Sequence, residues 1–164
     1  TDKAANPVNV MGCSKRIMED LIFGYSRYFK VTTARFANVA FSNGSLPAGW
    51  IERLMKKQPL AAPKDVKRYF VSPEESGQIC MLACILGKNR EIFFPKLTED
   101  QMMTFSSICS RFLESVGYRA RECANDDEAR RMAFEMAEDS KEYPVVYFNS
   151  DTTGEKAFEE VKVE

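Results

Sequence analysis

The spacing of apolar positions along this chain changes repeatedly, and each change marks an expected element. After Pro7, which can open a helix, Val10, Ile17, Leu21 and Tyr25 recur at helical spacing, so that Met11 and Lys15, four apart, share one face. Val31 to Val39 then alternates loosely and is rich in β-branched and aromatic residues, which predicts a strand. Ser42-Asn43-Gly44-Ser45 reads as a loop, and Pro47 starts a short helix running to Lys57. Lys67-Arg68-Tyr69-Phe70-Val71 predicts another short strand. Ser72-Pro73-Glu74-Glu75 combines a cap, a first-turn proline and a glutamate at the capping-box position, and leads into a helix through Ile79 to Leu86. Glu91 to Phe94 is a further strand; Thr98-Glu99-Asp100-Gln101 is a second capping box, whose helix is expected to reach Val116 and stop at Gly117. A strand at Tyr118 to Cys123, a helix at Asn125 to Glu138, a strand at Val145 to Phe148 and a short helix from Gly154 to Glu160 complete the series. Alternation of strand and helix predicts an α/β fold.

Composition narrows what such a fold can do. The 164 residues suffice for one domain or a domain with an appendage, and 45% hydrophobic with 29% charged residues excludes a disordered or disulfide-dense chain. A net charge of −1 argues against a nucleic-acid binder, and the absence of histidine excludes imidazole acid/base chemistry and every metal site that needs an imidazole. That net charge hides an asymmetry: residues 1–95 hold 14 basic and 8 acidic side chains, residues 96–164 hold 9 and 16. The first part would welcome a polyanionic small molecule, or the two are simply surfaces of unlike charge. Five cysteines in apolar stretches, with no signal peptide, point to a reducing, cytoplasmic compartment. Cys80 and Cys84 could face one another as a metal pair, but no second ligand pair lies near, so the better reading is buried small hydrophobes and no metal. No segment approaches the ~20 apolar residues of a membrane span. The abrupt start at Thr1-Asp2-Lys3, without Met, suggests a piece of something longer.

Asp2, Lys3 and Lys15 place two amines and a carboxylate close in sequence and, through the helix, in space. An amine beside another cation in a partly desolvated cleft becomes a usable base near neutral pH, and a carboxyl there can donate a proton. From spacing alone, Thr-Asp-Lys before a helix is more often a cap and a solvated turn.

The run from Thr1 through Asn6-Pro7-Val8-Asn9-Val10-Met11-Gly12-Cys13-Ser14-Lys15 resembles the active-site segment of extended short-chain dehydrogenase/reductases, and among them the nucleotide-sugar 4,6-dehydratases of the polysaccharide-biosynthesis (CapD-like) family, which act on UDP-N-acetylglucosamine. Ala34-Arg35-Phe36-Ala37-Asn38-Val39, the Gly44-Ser45-Leu46-Pro47 turn and Lys67 to Glu75 follow in that family's order and spacing. The resemblance covers residues 1–95, taken as the catalytic-helix and substrate-binding part of a Rossmann-like fold; residues 96–164 are similar to a C-terminal α/β extension of some members. It implies that Lys15 binds the nicotinamide ribose of NAD or NADP and that Met11 stands where most of these enzymes have Tyr, an exchange found in a subgroup of the dehydratases. A thioether can neither give nor take a proton, so Thr1, Asp2 or solvent must deprotonate the carbon-4 hydroxyl.

The implied reaction has three steps. Hydride leaves carbon-4 of the sugar; Lys3 removes the acidified carbon-5 proton while Asp2 protonates the departing carbon-6 hydroxyl; hydride returns to carbon-6. Phe36 and Ala37 would line the nicotinamide, Asn38 would contact the sugar nucleotide, Leu46 and Pro47 would open the helix near the uridine, and Arg68 would grip the diphosphate with its fixed fork of donors. Asn38 as a loop-capping amide and Arg68 as a surface ion pair with Glu74 or Glu75 are the plainer alternatives. Lys56, Lys57, Lys64 and Lys67 read as a solvated basic face.

None of the eight glycines forms the Gly-rich turn that cradles a pyrophosphate, so the chain is expected to need an amino-terminal cofactor-binding region, and homo-oligomerisation is expected as well. The rivals are a nucleotide-sugar epimerase, which needs no second acid/base pair, and a non-catalytic nucleotide-sensing domain.

Overall fold

A computed structural model describes residues 2–151, Asp2 by its backbone alone. In chain order the elements are a 3₁₀ turn Asp2–Ala4, α1 (Val10–Gly24), β1 (Thr32–Ala34), β2 (Asn38–Val39), α2 (Leu46–Met55), β3 (Leu60–Pro63), β4 (Lys67–Arg68), β5 (Phe70–Val71), α3 (Pro73–Leu86), β6 (Glu91–Phe93), β7 (Met103–Thr104), α4 (Phe105–Ser115), β8 (Arg119–Glu122), α5 (Asp126–Glu135) and β9 (Glu142–Phe148). Helices alternate with strands, and β1 with β6, β2 with β5, and β9 with both β3 and β8 all pair in parallel, as the α/β expectation required. The expected helix at Gly154 to Glu160 lies outside the described residues.

The described residues divide into two compact units that interleave along the chain. The first contains the residues up to Ala40 and Arg68–Met102; the second contains Phe41–Lys67 and Met103–Asp151. The second unit is built on a parallel sheet ordered β3-β9-β8. Trp50, Leu60, Leu113, Tyr143 and Val145 are its fully buried core, with Leu54, Phe105 and Phe112 packed around them. The polar ends of its two largest side chains are satisfied inside: Trp50 Nε1–H donates to the Ala61 carbonyl at 2.9 Å, and the Tyr143 hydroxyl donates to the Gln58 carbonyl at 2.9 Å.

In the first unit, β1 and β6 form a two-stranded ladder with Thr33 opposite Ile92, and α3 ends against it. Gly87 allows this close approach. A Cβ there would sit 2.4 Å from the Ala83 carbonyl oxygen and 2.7 Å from Thr32 Cγ2. Ser72 begins α3 with the capping box the sequence announced: Glu75 N–H donates to Ser72 Oγ at 3.1 Å and Ser72 N–H to Glu75 Oε2 at 2.7 Å.

Several expectations change. The single strand over 31–39 is two, because β1 and β2 take different partners and Arg35 to Ala37 is irregular between them. The strand over 67–71 likewise breaks at Tyr69. The second capping box exists, with Thr98 N–H on Gln101 Oε1 at 2.9 Å, but starts only a 3₁₀ turn, Glu99–Gln101. Met102 then goes extended (ψ 137°), and the helix restarts at Phe105 under its own cap, with Ser107 N–H on Thr104 Oγ1 at 3.1 Å. It does end at Gly117, whose φ of +90° glycine adopts without strain. The strand β3 has no counterpart in the expectations; its Leu-Ala-Ala-Pro is too short to alternate.

Candidate functional site

The residues singled out for chemistry fall largely in the first unit, around α1. Asn9 caps this helix in an extended conformation, its Oδ1 accepting from Gly12 N–H at 2.9 Å, so α1 starts at Val10 and not at Pro7. Gly12 lets the first turn of α1 settle onto the turn that carries Lys3: a Cβ at position 12 would lie 3.0 Å from the Lys3 carbonyl oxygen and 3.0 Å from Pro7 Cβ. Ala4 and Ala5 beneath are fully buried. Lys3 and the start of the helix bearing Met11 and Lys15 are thus brought together, as the spacing implied. Thr1 lies outside the described residues, as does the side chain of Asp2.

The face that α1 buries is not the apolar one. Val10, Ile17, Leu21 and Tyr25 are all exposed, Val10 by 87%. Gly12 and Glu19 are its buried positions, with Lys15 half-buried between them, at the i, i+3, i+7 spacing of one stripe. The reason is a charge pair. Glu19 and Arg35 are 6% and 4% exposed and form a bidentate bridge, Arg35 Nε on Glu19 Oε2 at 3.1 Å and Arg35 Nη2 on Glu19 Oε1. Met11, one turn before Lys15, is exposed.

Arg35 leads directly into the next candidate segment. Its backbone N–H donates to the Phe93 carbonyl at 2.8 Å, and the chain continues through half-buried Phe36 to Ala37, which is buried against Tyr69 and Val71. Asn38 stands opposite Phe70 in the β2–β5 pair; its backbone N–H and Nδ2 both donate to the Tyr69 carbonyl, at 3.1 and 3.4 Å. The side chain thus ties β2 to the residue that precedes β5. Arg68, on the residue before Tyr69, is 5% exposed, so it is not a surface ion pair. Between Arg68 and β5, the Tyr69 phenol has its pKa raised, first by burial and then by the nearby Glu99 and Asp100 carboxylates.

Leu46 and Pro47 belong to the second unit, where they open α2 under the Ser45 cap; Ala48 N–H donates to Ser45 Oγ at 3.3 Å. Lys56, Lys57, Lys64 and Lys67 are exposed, and Lys56 lies 3.8 Å from Glu52. Cys80 and Cys84 are exposed on α3, contrary to the reading of both as buried hydrophobes, because α3 turns only Ala83 inward. No group of three or more metal-ligating side chains occurs among the described residues. The Glu19–Arg35 bridge was not anticipated. Its one signal was a glutamate four residues after Lys15 on the same face.

Were a nicotinamide cofactor bound, the half-buried Lys15 and the irregular Phe36-Ala37 segment would be the amine and the apolar side chains on offer to its ribose and nicotinamide. The pyrophosphate is another matter, since α3 and α5 have acidic first turns and the remaining helix starts carry no glycine-rich loop.

This parallel α/β arrangement is part of a Rossmann-like extended short-chain dehydrogenase/reductase fold. Pen from Bacillus thuringiensis superposes with a TM-score of 0.69 at 20% identity, over 99% of this chain and 45% of its own. DesIV from Streptomyces venezuelae, a dTDP-glucose 4,6-dehydratase with NAD bound, does so with a TM-score of 0.60 at 17% identity, over 90% of this chain and 40% of its own. The chain belongs to the polysaccharide biosynthesis protein family, whose pattern it matches over residues 1–162. Relatives include an uncharacterized membrane protein of Methanocaldococcus jannaschii (36% identical, 59% of this chain and 31% of the relative), the probable polysaccharide biosynthesis protein EpsC of Bacillus subtilis (34%, 57% and 16%) and a UDP-glucose 4-epimerase of Rickettsia canadensis (31%, 58% and 30%). The chain thus spans less than a third of the length of these relatives. No helix among the described residues is long and apolar enough to cross a membrane.

Proposed function

We propose that the chain is the catalytic and substrate-binding part of a nucleotide-sugar 4,6-dehydratase acting on UDP-N-acetylglucosamine, in the synthesis of a surface polysaccharide or a nonulosonate sugar. The observation that carries this reading is the joining of Lys3 to the Met11–Lys15 stretch of α1 by the close packing at Gly12. In it, Lys15 holds the cofactor ribose, and Lys3 takes the carbon-5 proton. Asp2 gives a proton to the carbon-6 oxygen, and the carbon-4 hydroxyl is deprotonated by Thr1, Asp2 or solvent, since Met11 has no proton to exchange. Phe36 and Ala37 exclude water beside the nicotinamide, Asn38 orients the sugar, Leu46 and Pro47 approach the uridine, and Arg68 meets the diphosphate. The nicotinamide supplies hydride abstraction and return when bound.

NAD or NADP would be held chiefly by an amino-terminal region of a longer cytoplasmic, homo-oligomeric protein. In it, residues 1–95 serve the site and 96–164 form an extension. Two features support a covering region: the exposed apolar positions of α1 and α3, and a β1–β6 ladder of only two strands. Incubating that longer protein with UDP-N-acetylglucosamine should give a 4-keto-6-deoxy product, and Lys3→Ala should abolish turnover while substrate binding is largely kept. A product that retains its carbon-6 hydroxyl would instead support the second reading, a nucleotide-sugar epimerase, which the UDP-glucose 4-epimerase relative favours. Tight NAD(P)H binding by the 164-residue chain alone would contradict the division of labour.

A further inference from the structure

We propose that the buried Glu19–Arg35 bridge is a positioning device that sets the distance and rotation of Lys15 relative to the Phe36-Ala37-Asn38 segment. This rests on the reading of Lys15 and that segment as two walls of one site. Glu19 lies four residues beyond Lys15, about one helical turn and ~6 Å along the axis, on the same stripe. Arg35 is the residue immediately before Phe36. A bridge between the two therefore links the helix wall directly to the residue that leads into the strand wall.

Its geometry suits positioning. Two parallel N–H···O bonds fix both separation and tilt, which one bond or an apolar contact cannot do. Both ends are anchored: the Arg35 backbone is held to Phe93 by a 2.8 Å hydrogen bond, and Glu19 lies 3.9 Å from the second guanidinium of Arg16, which also reaches Asp20 at 3.4 Å. Stability alone does not call for such a pair. Well-packed apolar residues of similar volume are often as stabilising as a buried ion pair or more so, and α1 has apolar residues in abundance that it places outside. A charged pair inside and apolar residues outside is the arrangement expected where register matters more than adhesion.

The experiment uses the longer protein with its cofactor region, comparing wild type, Arg35→Lys, and the apolar double variant Glu19→Met/Arg35→Leu. Steady-state kinetics are combined with amide hydrogen exchange over residues 11–23 and 36–39. The double variant should fold and keep KM for the nucleotide sugar within about threefold, while kcat falls about 100-fold, the effect of displacing a reacting group by roughly 1 Å. Exchange should rise in both segments together and stay unchanged in the second unit. Arg35→Lys keeps the charge and loses the fork, and should show the same split in smaller measure; it decides the matter if the double variant does not fold. A folded variant with wild-type kcat and wild-type protection overturns the proposal. If the wild type does not act on UDP-N-acetylglucosamine, the proposed function fails, and the exchange data still judge the bridge: joint loss of protection supports it and unchanged protection refutes it.

Discussion

The two units differ in how many of their large apolar side chains they enclose. In the second, Trp50, Leu60, Leu113 and Tyr143 are enclosed by a sheet and helices of the same unit, with their polar ends satisfied. In the first, Ile17, Leu21, Met81 and Ile85 lie exposed on α1 and α3, while a charge pair occupies the interior. A unit that buries its apolar surface depends on itself. The first unit also encloses a small apolar cluster of Ala37, Tyr69 and Val71, but the apolar rows it leaves outside on α1 and α3 suit it to being covered by other chain.

The contrast breaks most severely at Trp50. Trp50→Ala should cost about 3–5 kcal/mol and leave the Ala61 carbonyl without its donor, read as a lowered denaturation midpoint. Gly87→Ala is the corresponding break in the first unit. Its Cβ would meet backbone at 2.4 Å, and a loss of about 1–3 kcal/mol is expected in the same assay. Alkaline pH tests the buried core of the second unit without mutation. Burial pushes the Cys109 thiol from 9.0 and the Tyr143 phenol from 10.0 up to about 12, both in the second unit. Between those ordinary values and 12 the folded state keeps protons that the unfolded chain releases, so stability should fall as pH rises from 9 to 12. Denaturation at stepped pH checks this, and Cys109→Ala should remove the early part of the decline. Ser72→Ala, which deletes one half of a capping box, should cost about 1 kcal/mol by the same measurement. The smallest effect sharpens the contrast: Ile17→Ser, on the exposed row of α1, should change the stability of this chain by no more than about 0.5 kcal/mol in the same denaturation assay.

Elements with local signals were legible in the sequence. The cap and first-turn proline of α3, the glycine stop after α4 and the acidic start of α5 are each written within a few residues. Pairing partners were not. Nothing within 31–39 reveals that β1 seeks β6 while β2 seeks β5, so one strand was expected where two exist. The periodicity of α1 correctly announced a helix but misassigned its inner face, because apolar spacing cannot tell which side a helix buries when a glutamate and an arginine sixteen residues apart claim the interior. For the site, local spacing joined Lys3 to the Met11–Lys15 helix. The resemblance supplied the roles, and the bridge that links helix to strand depends on a tertiary contact that no motif encodes.

The interleaved parallel pairing also sets an order of assembly. A parallel ladder cannot close through a tight turn, so β1 waits for β6, with Thr33 opposite Ile92, and β3 waits for β9, with Leu60 opposite Val145. As the chain leaves the ribosome, the first ladder becomes available some fifty residues before the second. Trp50 and Leu60 emerge early, yet they are covered only when β9 arrives. During that interval these apolar side chains stand uncovered, and slow synthesis between positions 60 and 148 would lengthen their exposure.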